Sequence, residues 1–113
     1  MDGVSRQLKK GILDILLLKL LEGNRMYGYE LMNRLDEKSN GFFATKEGTL
    51  YPVLYRLEDA GFIESSWSQE ETRRGVPRKY YAITEAGRTH LRMASLELEQ
   101  LVASIEAIMG RKY

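Results

Sequence analysis

The sequence predicts an α+β fold, mostly helical, on three observations. The segment Gly48-Thr49-Leu50-Tyr51-Pro52-Val53-Leu54-Tyr55-Arg56-Leu57-Glu58-Asp59-Ala60-Gly61-Phe62-Ile63 carries Leu50, Val53, Leu54 and Leu57 at helical spacing, so one side of it faces a core. Directly after it, Ile63, Ser65 and Trp67 alternate as in a strand and lead into a basic loop. Further on, Leu91, Ala94, Leu98, Leu101, Ile105 and Ile108 step by 3, 4, 3, 4 and 3, a heptad seam. A short helix running into a strand and a basic hairpin is the layout of a winged helix-turn-helix with a two-stranded wing. Here a long C-terminal dimerisation helix follows it.

Taken in order, a first helix is expected over 5–22. Leu8, Ile12, Leu13, Ile15, Leu16, Leu17, Leu18, Leu20 and Leu21 cover most of its circumference. A helix apolar nearly all round is buried on several sides, which in so small a chain points to a second subunit. Gly23-Asn24 ends it. A second helix over 27–37 turns Leu31, Met32 and Leu35 inward, and Ser39-Asn40-Gly41 is a turn signal. The third helix occupies about 46–60. Pro52 has no N–H and fits best within a first turn, which moves the start of regular helix toward Gly48 or Thr49. Gly61 stops this helix. Strands over 63–68 and 78–83 flank the basic loop, Thr84 is the expected N-cap of the fourth helix, and Glu85 suits its positive end. That helix, 85–109, would extend roughly 37 Å at 1.5 Å per residue. With its apolar stripe uncovered it needs a partner, and a symmetric dimer is the simplest one. The division is therefore a winged helix-turn-helix over 1–84 and a dimerisation helix over 85–113, in one compact unit.

At 113 residues, 43% of them apolar, the chain is a single globular domain rather than a disordered one. It has no cysteine, which excludes disulfides and thiolate chemistry. Its longest uninterrupted apolar run, Ile15 to Leu18, is too short to span a bilayer, and no signal-peptide pattern opens the chain. A soluble, cytoplasmic protein without membrane contact is expected. There is no phosphate-binding glycine loop, no nucleophile motif, no metal-ligand spacing and a single histidine, so neither enzyme chemistry nor any cofactor or metal is expected. Net charge is only +1, but residues 69–79 hold Arg73, Arg74, Arg78 and Lys79 against Glu70 and Glu71.

Lys46, Thr49, Tyr51, Tyr55 and Arg56, on the polar side of the third helix, are the candidate DNA contacts, because a groove-reading helix needs a few polar side chains over an apolar back. The alternative is an ordinary solvated helix face. The following hairpin favours DNA, and Tyr55 could equally flank the core. Arg73, Arg74, Arg78 and Lys79 suit phosphate contacts or entry into the minor groove, against a merely soluble turn. Arg78 and Lys79 alternate along a strand, so one of the two should reach DNA. Trp67, Tyr80 and Tyr81 read as cross-strand packing, and His90 as a solvated helix residue. Leu91, Ala94, Leu98, Leu101, Ile105 and Ile108, with Ile12 and Leu16, are the candidate dimer interface. Asp14 interrupts the most apolar helix. It either faces the surface, with Lys10 one turn away as a partner, or lines a polar cavity.

Met26-Tyr27-Gly28-Tyr29-Glu30-Leu31, Gly48-Thr49-Leu50-Tyr51-Pro52, Leu54, Arg56-Leu57-Glu58, Gly61-Phe62-Ile63, Arg78-Lys79-Tyr80-Tyr81 and Thr84-Glu85-Ala86-Gly87 resemble, in order and over about residues 8–92, the PadR family of bacterial winged-helix transcriptional regulators. The similarity is to its short branch with a single C-terminal dimerisation helix. It implies a homodimer that binds an inverted-repeat operator, usually to repress a nearby gene. The third helix would enter the major groove, and Tyr51 would lie at the DNA backbone. It also implies release by a small hydrophobic or aromatic effector, for which Asp14, Leu18 and Leu98 are candidate lining residues. Members that bind flat drugs stack them on a tryptophan of the last helix. Leu98 takes that place here, which argues against flat-drug stacking. Two other readings are a winged helix used as a protein-interaction module, in line with the low net charge, and a protein whose main role is small-molecule capture.

Overall fold

The structure, a computed structural model, describes residues 8–9, 11–68 and 78–113. In chain order they form α1 (Leu13–Gly23), β1 (Met26–Tyr27), α2 (Gly28–Lys38), α3 (Glu47–Asp59), β2 (Ile63–Trp67), β3 (Lys79–Ile83) and α4 (Glu85–Met109). Leu17, Leu18 and Leu21 of α1, Leu31 and Leu35 of α2, and Leu50, Leu54 and Leu57 of α3 meet Ile63 and Tyr81 of the sheet in one core. Each of those side chains contributes about 1.5–3 kcal/mol by leaving water. Among the described residues no helix is long and apolar enough to cross a membrane.

Four local departures from the sequence reading have local causes. The first helix is interrupted: Leu8 and Lys9 are helical, Gly11 takes a left-handed φ of +92°, and the regular helix starts at Leu13. A glycine adopts that conformation without steric cost, so a continuous apolar pattern does not guarantee a continuous helix. The sheet has three strands rather than two, in the order β1-β3-β2, all antiparallel. Met26 and Tyr27 pair with Tyr81 and Tyr80 along the outer edge of β3, and two residues carry no readable alternation. The helix α3 starts at Glu47, one to two residues earlier than Pro52 suggested, so Pro52 lies in the second turn. There it removes the bond its N–H would have made to the Gly48 carbonyl. Trp67 shares a strand face with Ile63, yet it is 65% exposed because the strand has already run past the core.

The junctions that hold α3, the sheet and α4 together follow the sequence. Gly61 has a φ of +82° and the Phe62 N–H returns to the Leu57 carbonyl at 3.0 Å, which closes α3. Thr84 Oγ1 accepts from the Gly87 N–H at 3.0 Å and donates to the Gly61 carbonyl at 2.7 Å, so one hydroxyl caps α4 and ties it to the end of α3. Gly87 is needed for closeness: a Cβ there would overlap the Phe62 carbonyl oxygen and come within 2.8 Å of Ile83 Cγ1. His90, read as solvated, is half-buried and stacks on the Phe62 ring at 4.1 Å and 13°.

Candidate nucleic-acid interface

Burial divides α3 into two sides. Leu50, Val53, Leu54 and Leu57 face the core, whereas Lys46 at the N-cap and Thr49, Tyr55 and Arg56 are exposed. The Lys46 carbonyl accepts from both Thr49 and Leu50 N–H at 2.9 Å, which fixes the first turn and sets the heights of Lys46 and Thr49 above the core.

Tyr51 stands apart from these four. It is half-buried, with its ring against Gly28, where a Cβ would overlap the tyrosine hydroxyl and sit 2.7 Å from Cζ. Burial, reinforced by Glu47 and Tyr55, pushes its pKa above the ordinary tyrosine value, so the hydroxyl stays protonated and able to donate. The same ring borders a cleft of about 530 Å³ between α3, the start of α2 and the base of the wing. Tyr27, Tyr29, Tyr55 and Trp67 line the cleft, and both Arg78 and Lys79 reach it. The Arg78 guanidinium lies 4.5 Å from the Tyr27 ring centre, and Lys79 Nζ is 5.9 Å from Trp67 and 5.8 Å from Tyr81. Alternation along the strand would send the two cations to opposite sides, yet both side chains line this one cleft. Aromatic faces hold both cations at the cleft, an attraction worth about 0.5–1 kcal/mol each at exposed sites. Below them, Tyr81 is buried, and desolvation raises its pKa to about 12.

Arg56 is engaged as well as exposed. One of its guanidinium nitrogens lies 2.7 Å from Asp14 Oδ1, which pairs the polar side of α3 with α1. Asp14 therefore has a partner 42 residues away in sequence. Spacing within its own helix pointed instead to Lys10, which lies outside the described residues. So do Arg73 and Arg74, the other expected DNA contacts.

A helix with an apolar back and a polar front, beside a wing base carrying two cations, matches a family pattern. The model of the PadR-like transcriptional regulators covers residues 17–93, more than half of the sequence and nearly all of this surface. The chain belongs to that family. A transcriptional regulator from Clostridium thermocellum is 33% identical, with a TM-score of 0.81 over 89% of this chain and 96% of its own. The negative transcriptional regulator PadR of Bacillus subtilis is 29% identical over 71% of this chain and 43% of its length. Its crystal structure in complex with operator DNA superimposes with a TM-score of 0.64 at 28% identity, over 74% of this chain and 45% of that one. PadR-like proteins are transcriptional regulators rather than enzymes.

The remaining expected site residues fall into three groups. Leu91, assigned to a subunit seam, is 3% exposed and belongs to the core of the single chain, where α4 packs on α1. Leu18, assigned to an effector site, is fully buried in that core and has no surface to offer a ligand. Ile12, Leu16, Ala94 and Leu98 are half-buried, whereas Leu101, Ile105 and Ile108 are exposed. Sequence reasoning from the residues missed Tyr27, Tyr29 and Trp67 as cleft residues. Their signal was the clustering of aromatics near cations on elements that only the fold brings together.

Proposed function

We propose that this protein is a cytoplasmic repressor that binds an inverted-repeat operator as a homodimer and is released by a small hydrophobic or aromatic effector. Residues 1–84 would read DNA and residues 85–113 would pair the subunits. The observation that carries the reading is the division of α3, with Lys46, Thr49, Tyr55 and Arg56 in solvent over a buried apolar side. Arg78 and Lys79 stand beside it across the Tyr51 cleft. In this arrangement α3 enters the major groove and the cleft takes the phosphate backbone, with Arg73 and Arg74, which lie outside the described residues, as further phosphate contacts. Pairing rests on Ala94, Leu98, Leu101, Ile105 and Ile108, with Ile12 and Leu16, since most of these apolar side chains are wholly or partly in solvent in a single protomer. The likeness to a PadR protein crystallised with operator DNA supports the same partner here.

A gel shift with the DNA upstream of the protein's own gene tests the reading. Thr49→Ala should weaken specific binding by about 1–3 kcal/mol, the usual cost of losing one sequence-reading contact. Arg78→Ala with Lys79→Ala should weaken binding to all sequences alike and lower the salt dependence. If both variants bind as the wild type does, α3 and the wing base do not touch DNA.

A further inference from the structure

The helix α4 carries a second apolar line, on the side turned away from the rest of its chain. Gly87 and Leu91 are its buried residues and define the inner side. About half a turn round, at 3.6 residues per turn, lie Met93, Leu96, Gln100, Ala103 and Ala107, which step by 3, 4, 3 and 4. All are exposed, Met93 at 64% and Leu96 at 65%. From Leu96 to Ala107 they line a shallow open groove along the helix. Steps of 3 and 4 are those of a coiled-coil face. This face is separate from the line through Leu98, Leu101 and Ile105, which continues the inner side. The charges beside it also form a pattern. Arg92 precedes Met93 on one flank, and Glu97 follows Leu96 on the other. Both are exposed, and neither forms an ion pair among the described residues. The Arg92 guanidinium donates instead to the Thr89 hydroxyl, at 3.3 Å.

We propose that this outer face pairs α4 with α4 of a second copy, in parallel, as a contact distinct from the inner seam. In a parallel pair each residue meets its own copy, so Leu96 packs on Leu96 and Gln100 faces Gln100. A polar residue at one such position fixes the register. The flanks then match. Arg92 of each copy lies across from Glu97 of the other, the flank pairing that sets partner choice and orientation in coiled coils. An antiparallel pair that kept Gln100 opposite Gln100 would instead bring Glu99 against Glu99. Charge therefore selects the parallel arrangement. The remainder of each chain packs on the inner side of its own α4, so the two bodies lie on opposite outer sides of the pair. Ala103 and Ala107 offer little apolar surface, which makes this contact weaker than one through Leu98, Leu101 and Ile105 and confines it to higher concentration. Together with the inner seam it joins two dimers into a four-chain assembly. That stoichiometry rests on the pairing proposed above. The outer face itself does not.

Sedimentation over a concentration series tests the contact, with Leu96→Lys as the variant, since an exposed position spares the fold. The wild type should pass from dimer to four-chain mass. Leu96→Lys should remain a dimer, with the further association weakened at least tenfold. A wild type that stops at dimer, and that Leu96→Lys reduces to monomer, would establish the outer face and refute the inner seam. Equal mass distributions for the two proteins overturn the outer face. Orientation is read from the flanks. Arg92→Glu should weaken the association at least threefold, and adding Glu97→Arg should restore it, because the exchanged charges again face each other. A double variant as weak as Arg92→Glu alone overturns the parallel arrangement. The absence of cysteine from the chain allows a direct readout. Leu96→Cys, oxidised with diamide at the highest concentration, should give a covalent pair of chains, since position 96 meets its own copy in the parallel pair and points away from the inner seam. Chains that stay single on a non-reducing gel overturn the contact.

Discussion

The two ends of α4 have the same heptad spacing and the same kind of side chain but face different surroundings. Near its start, Leu91 is 3% exposed, the Thr84 hydroxyl caps the helix, and Gly87 lets the backbone approach the Phe62 carbonyl. Near its end, Ile108 is 84% exposed, and Leu101 and Ile105 are also in solvent. The near end is anchored by contacts within one protomer. The far end projects from a molecule 55 Å in its longest dimension. An apolar stripe in the sequence thus does not tell which of its residues the same chain buries, and only the fold does.

Charging the near end should do the most damage. Leu91→Glu would bury a carboxylate without a partner and lose the leucine's packing, at a cost of about 4 kcal/mol or more. Chemical denaturation should show a chain largely unfolded in buffer. A folded Leu91→Glu protein would mean that this end of α4 can lift away from α1.

A smaller effect comes from Tyr81, in the core against which the near end packs. Its pKa is about 12 in the folded protein against 10 in the unfolded chain, so the folded state holds its proton more tightly. The associated stability is complete below pH 10 and is lost as pH rises toward 12, about 3 kcal/mol in all. Urea titrations at both ends of that window should show this loss for the wild type. Tyr81→Phe should show a flatter dependence, and an equal slope for the two proteins would mean that Tyr81 ionises as freely folded as unfolded. Thr84→Ala comes next. It removes a cap and costs about 1 kcal/mol, read as a lower midpoint in the same titrations.

Changes at the far end should barely register in a single protomer. Leu101→Lys with Ile105→Lys should change protomer stability by less than about 0.5 kcal/mol, because both side chains are in solvent and Glu97 stands one turn before position 101. Sedimentation should find the variant at monomer mass with its cooperative melt intact, if this stripe is the subunit seam. Dimer mass would move the seam elsewhere, and loss of the melt would show that the two ends are not independent after all.

Much of this architecture was legible in the sequence because it depends on neighbours in the chain. The inward side of α3, the glycine stop at Gly61 and the Thr84 cap are all local, and each appears where spacing and residue type placed it. What spacing could not supply was pairing across the fold. Arg56 finds Asp14 on another helix, Tyr51 packs on Gly28, and Arg78 and Lys79 converge on aromatics from three different elements. Gly11 shows the opposite limit: a single conformationally free residue breaks a helix that every neighbouring leucine supports.

The contact between Tyr51 and Gly28 also constrains how this sequence can change. A methyl group at position 28 collides with the phenol, and replacing Tyr51 by phenylalanine leaves Cζ still only 2.7 Å away. Gly28→Ala is admissible only after position 51 has given up its aromatic ring, and that step removes one wall of the cleft beside the wing. The two sites therefore form an epistatic pair: a stepwise mutational path through either one passes through a crowded or a hollowed intermediate. A library that randomised both codons together would recover solutions that single-site scanning rejects.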